Sequence, residues 1–245
     1  RDKLVTGVQT CALPISMQLV AMRRNGGFSA ACNAGALQAR GEALALVNSD
    51  VIPIGNGWLP TLIGKLDRQR RVGAVGPKLL YDDGSLQHAG LYFKRDSKGT
   101  WLNHHFFKGM PGSYGPANVE RPVPGVTGAC IVMPRALFDE LGGFDESYVI
   151  GDYEDSDLCL KVRRAGFGIV YAPSVALYHL ERQSISRSVD YTRGAASQHN
   201  AWLQTRRWDA QIEALMLAFA TSVAEPALPE PAPSAPELVP RFTFR

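Results

Sequence analysis

The sequence is poor in the features by which many functions show themselves. Only four cysteines occur in 245 residues (Cys11, Cys32, Cys130 and Cys159), and no two form a CxxC pair. That spacing excludes a disulfide-stapled scaffold, marks the thiols as small core residues and makes a reducing, cytoplasmic setting the expectation. Charge of either sign is nearly balanced: 26 Lys and Arg against 23 Asp and Glu give a formal +3, which makes no electrostatic case for nucleic acid as a partner. Long apolar runs are missing too. The best, Ala214 to Ala224, falls well short of the roughly 20 residues a spanning helix needs. Leu4 to Met22 carries no charge, but Gly7, Gln9, Thr10 and Pro14 interrupt it and no small-residue cleavage site is seen, so it makes a poor signal peptide.

The residues that are present suit one globular α/β domain with a tail: 45% are hydrophobic and 20% charged. Residues 1–16 match no strand or helix pattern continuous with Met17 onward, and VTGVQTCALPI resembles translated sequencing-adaptor sequence; they are set aside as a non-native leader. From Met17 the pattern is regular. Gln18 to Met22 predicts a short strand, Phe28 to Ala39 an Ala-rich helix, Ala43 to Val47 a buried strand, Trp58 to Arg70 an amphipathic helix and Val72 to Gly76 another strand. This alternation predicts a mainly parallel, Rossmann-like sheet with helices on both faces. Residues 80–125 are rich in Gly, Pro, Asp, Asn and His and read as hairpins and loops. Gly128 to Met133 reads as a strand, Arg135 to Leu141 and Asp155 to Ala165 as helices, Gly168 to Tyr171 as a short strand and Tyr191 to Phe219 as a helix. The domain is expected over residues 17–219, and 220–245, dense in Pro, Ala and Glu, as a disordered tail.

Three places carry chemistry. Asn48-Ser49-Asp50 ends a buried strand, where side chains emerge at the carboxyl edge of a sheet and ligands bind. An Asp there, with an oxygen donor two residues earlier, suits a hard divalent cation that neutralises a diphosphate, although Asp50 alone also reads as a turn cap before Pro53. Gly151-Asp152-Tyr153-Glu154-Asp155-Ser156-Asp157 packs four carboxylates into six residues ahead of an apolar-striped helix. Acidic residues favour helix N-termini, so some of these need no function, but four exceed what a cap requires. Crowded like charges raise one another's pKa, which is how a general base is tuned. His179 sits in an apolar strand-like run; alone it reads as a core histidine, and it completes a divalent site if it meets Asp50 in space.

Together these residues resemble the GT-A family 2 glycosyltransferases over roughly Met17 to Trp208. Arg24-Asn25-x-Gly-Phe-x-x-Ala-x-Asn33-x-Gly35 is similar to the segment after the family's second Rossmann-like unit, and Asn48-Ser49-Asp50 to its DxD metal motif. Pro53-x-x-x-Gly57-Trp58-Leu59 comes next, in its expected place. Gly128-Ala129-Cys130 and Gly142-Gly143-Phe144-Asp145-Glu146 resemble the acceptor-side segment, Gly151 to Leu158 the ED motif with the catalytic base, and Tyr178-His179 the late metal-site His.

The resemblance implies a nucleotide-sugar donor, a glycan or lipid-linked acceptor, a divalent cation (Mn²⁺ or Mg²⁺) and a cytoplasmic enzyme at the inner face of a membrane, in cell-surface glycan synthesis. It assigns Asp50 and His179 to the metal, and Asp155 to proton removal in a single inverting displacement. Arg24, Asn25, Asn33, Asn48 and Asp50 fall to the donor side, and Gly128, Ala129, Glu154 and Trp58 to the acceptor side. Two departures stand out: Asn48 replaces an Asp, and the family's opening strand, helix and base-reading strand are not seen, so the chain as given is expected to be an incomplete, inactive domain. Gln204-Thr-Arg-Arg207-Trp208 matches the QxxRW pattern of processive synthases, but with no flanking membrane spans it reads as coincidence. A nucleotidyltransferase and a degenerate sugar-nucleotide-binding module are the rival readings.

Overall fold

The computed structural model describes residues 19–67, 69–180 and 194–222. The leader, Gln18 and residues 223–245 of the tail lie outside them. Residues 19–26 form no strand and are exposed throughout, so what is described of the expected 18–22 strand has no partner to pair with. The chain then runs through α1 (Gly27–Gln38), β1 (Ala43–Val47), β2 (Val51–Pro53), α2 (Trp58–Ile63) and β3 (Val72–Leu80). Helix α2 stops seven residues before the expected Arg70, because Gly64 follows its six residues and the chain turns back into β3. The excursion at 80–125 contains the expected hairpins: β4 (Leu86–His88), β5 (Leu91–Arg95), β6 (Trp101–His105), a 3-10 turn at Gly115–Asn118, and β7 (Arg121–Pro122). Strand β8 (Cys130–Pro134), α3 (Arg135–Glu140), α4 (Glu154–Arg164), β9 (Gly168–His179) and α5 (Ala195–Ser222) complete the described chain.

The sheet runs β1-β8-β3-β9-β2, with β4 beside β3 and β7 beside β9. Its longest pairing, β3 with β9, is parallel as expected. The other pairs are antiparallel, so the sheet is mixed. The reason is connective: a parallel neighbour needs a crossover, usually helical, and the excursion from β3 to β8 contains hairpins and a single 3-10 turn instead. Strand β9 continues through Ala172–His179, eight residues beyond the expected Tyr171, because β2 and the end of β3 pair with that second half.

The interior of β3 is buried continuously, since both faces are covered. Ala74 packs with Ile131, Ile169, Leu158 and Val162 on the side of α4, while Val75 and Leu79 pack with Val132, Leu177 and Leu62 on the side of α2. Strand β1 differs from the buried strand expected of it. Leu44 and Leu46 are buried but Ala45 and Val47 are exposed, because β1 is an edge and no described element covers its second face. A third cluster (Phe93, Trp101, Leu160, Trp208, Ile212) fastens α5 to the β5–β6 hairpin and α4.

At Gly76, in the middle of β3, a Cβ would lie 2.6 Å from Val126 Cβ and Cγ1. Gly76→Ala is therefore expected to destabilise the domain by about 1–3 kcal/mol, as overpacking of a dense core does. Thermal unfolding checks this; an unchanged Tm would show that the core yields more than its packing implies.

Candidate active site

The pairing of β2 on β9 puts Val51 opposite His179, and Leu180 N–H donates to Asp50 O at 3.0 Å. Asp50 and His179, 129 residues apart, are thereby brought together, with Asp50 Oδ1 3.3 Å from His179 Nε2. The far side of the ring is fixed by Gln87, whose Oε1 lies 2.7 Å from His179 Nδ1 and whose Nε2 donates to His179 O at 3.2 Å. Because an amide oxygen only accepts, Nδ1 carries a proton, and Nε2 faces the Asp50 carboxylate. A proton or a cation between Nε2 and the carboxylate would join them, and an imidazole oriented from behind is the usual arrangement of a metal-binding His. The residues fit a divalent ion with two protein ligands. Among the described residues no third His, Cys, Asp or Glu joins them. Asn48 closes the turn after β1, its N–H donating to Ala129 O at 2.9 Å and its carbonyl accepting from Val51 N–H at 3.2 Å.

The four carboxylates of the acidic cluster sort by environment. Asp152 is exposed. Asp157 is buried and structural: its Oδ1 accepts from Trp208 Nε1 at 2.7 Å and from Tyr148 OH at 3.2 Å, and its Oδ2 lies 3.2 Å from Lys161 Nζ. Glu154 is buried, its Oε2 has no hydrogen-bond partner among the described residues, and burial, reinforced by Asp155, pushes its carboxyl well above the usual range. Half-buried Asp155 accepts from Gly128 N–H at 2.9 Å and from Ser156 N–H at 2.7 Å. Burial raises its carboxyl above the ordinary value, and the bonds from Gly128, Ser156 and Thr127 oppose that rise.

One cavity of about 690 Å³ is lined by Asn48, Asp50, Gly128, Ala129, Glu154, Asp155 and His179 together. Four sequence-assigned residues are not among its lining. Asn33 is occupied elsewhere: Phe144 N–H donates to its Oδ1 at 2.9 Å, and its Nδ2 donates to Phe144 O and Glu146 Oε1, so it ties α1 to the Gly143–Glu146 loop. Asn25 accepts from Gly27 N–H at 3.0 Å in a local turn, and Arg24 is exposed beside it. Trp58 packs against the apolar cluster of Leu62 and Val75. Helix α1 reaches the cavity through Phe28 and Cys32 instead.

The 80–125 excursion contributes a wall of the cavity, Gln87, Asn103, His105 and Lys108, none of which the sequence singled out. Burial, then His105, holds His88 well below the usual imidazole range; its Nδ1 lies 2.8 Å from His105 Nδ1. The QxxRW residues also have a structural place: buried Gln204 and Trp208 dock on α4, and Arg207 pairs with Asp145 at 2.6 Å.

With the site in view, comparison with known proteins settles the class. The model of the glycosyltransferase-like family 2 matches residues 12–205, and the chain belongs to that family. This sets aside the nucleotidyltransferase reading. The chain is 34% identical over 167 residues to the O-antigen biosynthesis protein RfbC of Myxococcus xanthus, covering 66% of this chain and 12% of that one. It is 30% identical over 146 residues to the N-acetylglucosaminyl-diphospho-decaprenol L-rhamnosyltransferase of Mycobacterium tuberculosis, covering 54% and 45%. The chain thus spans less than half the length of either relative. Its fold is similar to that of GalNAc-T7, solved with UDP, GalNAc and Mn²⁺, at a TM-score of 0.51 and 18% identity over 66% of this chain and 32% of that one. The α/β architecture is therefore that of the GT-A glycosyltransferases. No described helix is long and apolar enough to cross a membrane.

Because the Asn33 carboxamide is spent on Phe144 and Glu146, Asn33→Ala is expected to lower stability by about 1–3 kcal/mol, the range for a lost buried partner. Nucleotide affinity should stay unchanged. Calorimetry of nucleoside diphosphate binding, beside a melting curve, checks the split; a stable variant with weakened nucleotide binding would return Asn33 to the donor side.

Proposed function

We propose that this chain carries the donor and acceptor site of an inverting glycosyltransferase that moves a sugar from a nucleoside diphosphate to a hydroxyl, in the synthesis of a cell-surface glycan. The observation that carries the reading is the Asp50–His179 contact on the rim of the cavity that also holds Asp155. Asp50 and His179 would hold Mn²⁺ or Mg²⁺, with neutral Asn48 beside them. Such an ion, when bound, neutralises the charge on a departing diphosphate. Asp155 accepts the proton of the acceptor hydroxyl as that oxygen bonds to the anomeric carbon. The bond from that carbon to the diphosphate oxygen breaks on the opposite face, and the configuration inverts. Glu154, Gly128 and Ala129 form the acceptor side. The names of the two relatives support a glycan or lipid-linked acceptor, and the UDP and Mn²⁺ of the structural neighbour support the donor class. A lipid-linked acceptor would bring the enzyme to the cytoplasmic face of a membrane.

Binding of UDP, dTDP or GDP, measured by calorimetry, is expected to require the divalent ion. Asp50→Ala and His179→Ala should each weaken it roughly tenfold or more, the scale at which losing a ligand or its orienting partner acts. Affinity that survives EDTA would refute the metal reading. In the product of the complete gene, Asp155→Asn should abolish turnover with little change in KM, since it removes only the base.

Asp155 also sets a pH dependence. Its carboxyl is raised above the ordinary Asp value, chiefly by burial, so the base is lost as pH falls through that raised value. The acid limb of kcat should therefore lie higher than an exposed Asp would place it, and an acid limb at the ordinary Asp value would remove Asp155 from the role.

A further inference from the structure

The wall of the cavity that leads into Asp155 is built from backbone that does not hold itself. Ile150, Asp152 and Tyr153 have φ of 64°, 69° and 75°, the left-handed region, and for a β-branched residue such as Ile150 that is a genuine outlier. Ile150 is exposed, so its own packing does not impose the conformation. Backbone of this kind persists only where its surroundings over-determine it. Among the described residues, one side chain makes four bonds to this backbone. Asn200, fully buried on α5, accepts from Val149 N–H at 2.9 Å. Its Nδ2 donates to Val149 O, Gly151 O and Asp152 O at 3.1, 2.8 and 3.2 Å. On the other side, Phe28 N–H donates to Ile150 O at 2.8 Å; Gly27, just before it, has no room for a Cβ, which would lie 2.8 Å from the same oxygen.

The grip continues down α5 at intervals of four, which keeps it on one helix face. Gln204 bonds Ser156 Oγ and Asn103 Oδ1, and Trp208 bonds Asp157. None of these three α5 residues lines the main cavity. We infer that Asn200 is a positioning residue of the transfer reaction: it clamps residues 149–152 in their left-handed path and so sets where Tyr153, Glu154 and Asp155 enter the cavity. The metal and nucleotide side, on β2 and β9, is independent of it. The Gln204-x-x-Arg207-Trp208 match then marks the lower part of the same clamp. The catalytic consequence rests on the proposed transfer; the clamp itself does not.

The test is Asn200→Ala in the product of the complete gene, read by amide hydrogen exchange, nucleotide calorimetry with Mn²⁺, and kcat. Protection should fall at least tenfold over 149–155 while β3 and β9 keep theirs, and nucleotide Kd should stay within twofold. The value of kcat should drop about 10- to 100-fold, the scale of a base displaced by an ångström. Adding Ile150→Gly, which accepts positive φ without strain, should recover part of that loss. If the alanine variant does not fold, Asn200→Ser gives the same readouts. Unchanged exchange over 149–155 overturns the clamp. Loss of nucleotide affinity in step with kcat overturns the positioning role and leaves a structural one. Exchange that changes as expected, in a wild-type protein that transfers no sugar, refutes the proposed function and leaves the clamp standing.

Discussion

Strand β9 ties the molecule together. Twelve residues long, it is paired along one edge by β3 and along the other by β7 and then β2, so the register of that one strand fixes the core and the site at once. Its buried residues, Ile169 and Tyr171 on one face and Ala172 and Leu177 on the other, belong to the two core clusters that cover β3. Its last residue is His179. A slip of one position would turn His179 to the opposite face and separate it from Asp50, while moving each apolar side chain to the wrong cluster. The energy that holds Asp50 and His179 together is thus the burial of the sheet, not an interaction local to the pair.

The acidic helix shows the complementary logic. Helix α4 has Glu154, Asp155 and Asp157 in its first turn and Lys161, Arg163 and Arg164 in its last, matching the macrodipole at both ends. That electrostatic preference explains why carboxylates gather there, but not why they differ. The difference comes from what each one meets: Trp208 and Tyr148 for Asp157, no hydrogen-bond partner among the described residues for Glu154 Oε2, backbone N–H groups and the cavity for Asp155. Asp155 is the one carboxylate of the cluster that is both half-buried and turned to the cavity.

This division also explains what was legible in the sequence. Local signals located α1, α3, α4, β1, β3, β8 and the start of β9, because propensity and apolar period act over a few residues. Asp50 could be picked out because it follows a buried strand, Asp155 because it opens an apolar-striped helix, and His179 because it sits in a short apolar run. The second half of β9 was not legible, since residues 172–177 form strand only when β2 and the end of β3 are there to pair with them. Asn33 reads like a ligand in sequence and acts as a brace in space, because its partner, Phe144, is 111 residues away. Gln87 could not be assigned, as nothing local says that its amide will face an imidazole 92 residues further on.

The central claim is that Asp50 and His179 face each other because a cation belongs between them. A crystal structure of the protein with Mn²⁺ and a nucleoside diphosphate, with the metal located by its anomalous scattering, tests this most directly. The account expects a single strong peak within bonding distance of both Asp50 Oδ1 and His179 Nε2, with the diphosphate on its open side. A nucleotide bound in the cavity with manganese elsewhere, and the two side chains still in direct contact, would contradict it.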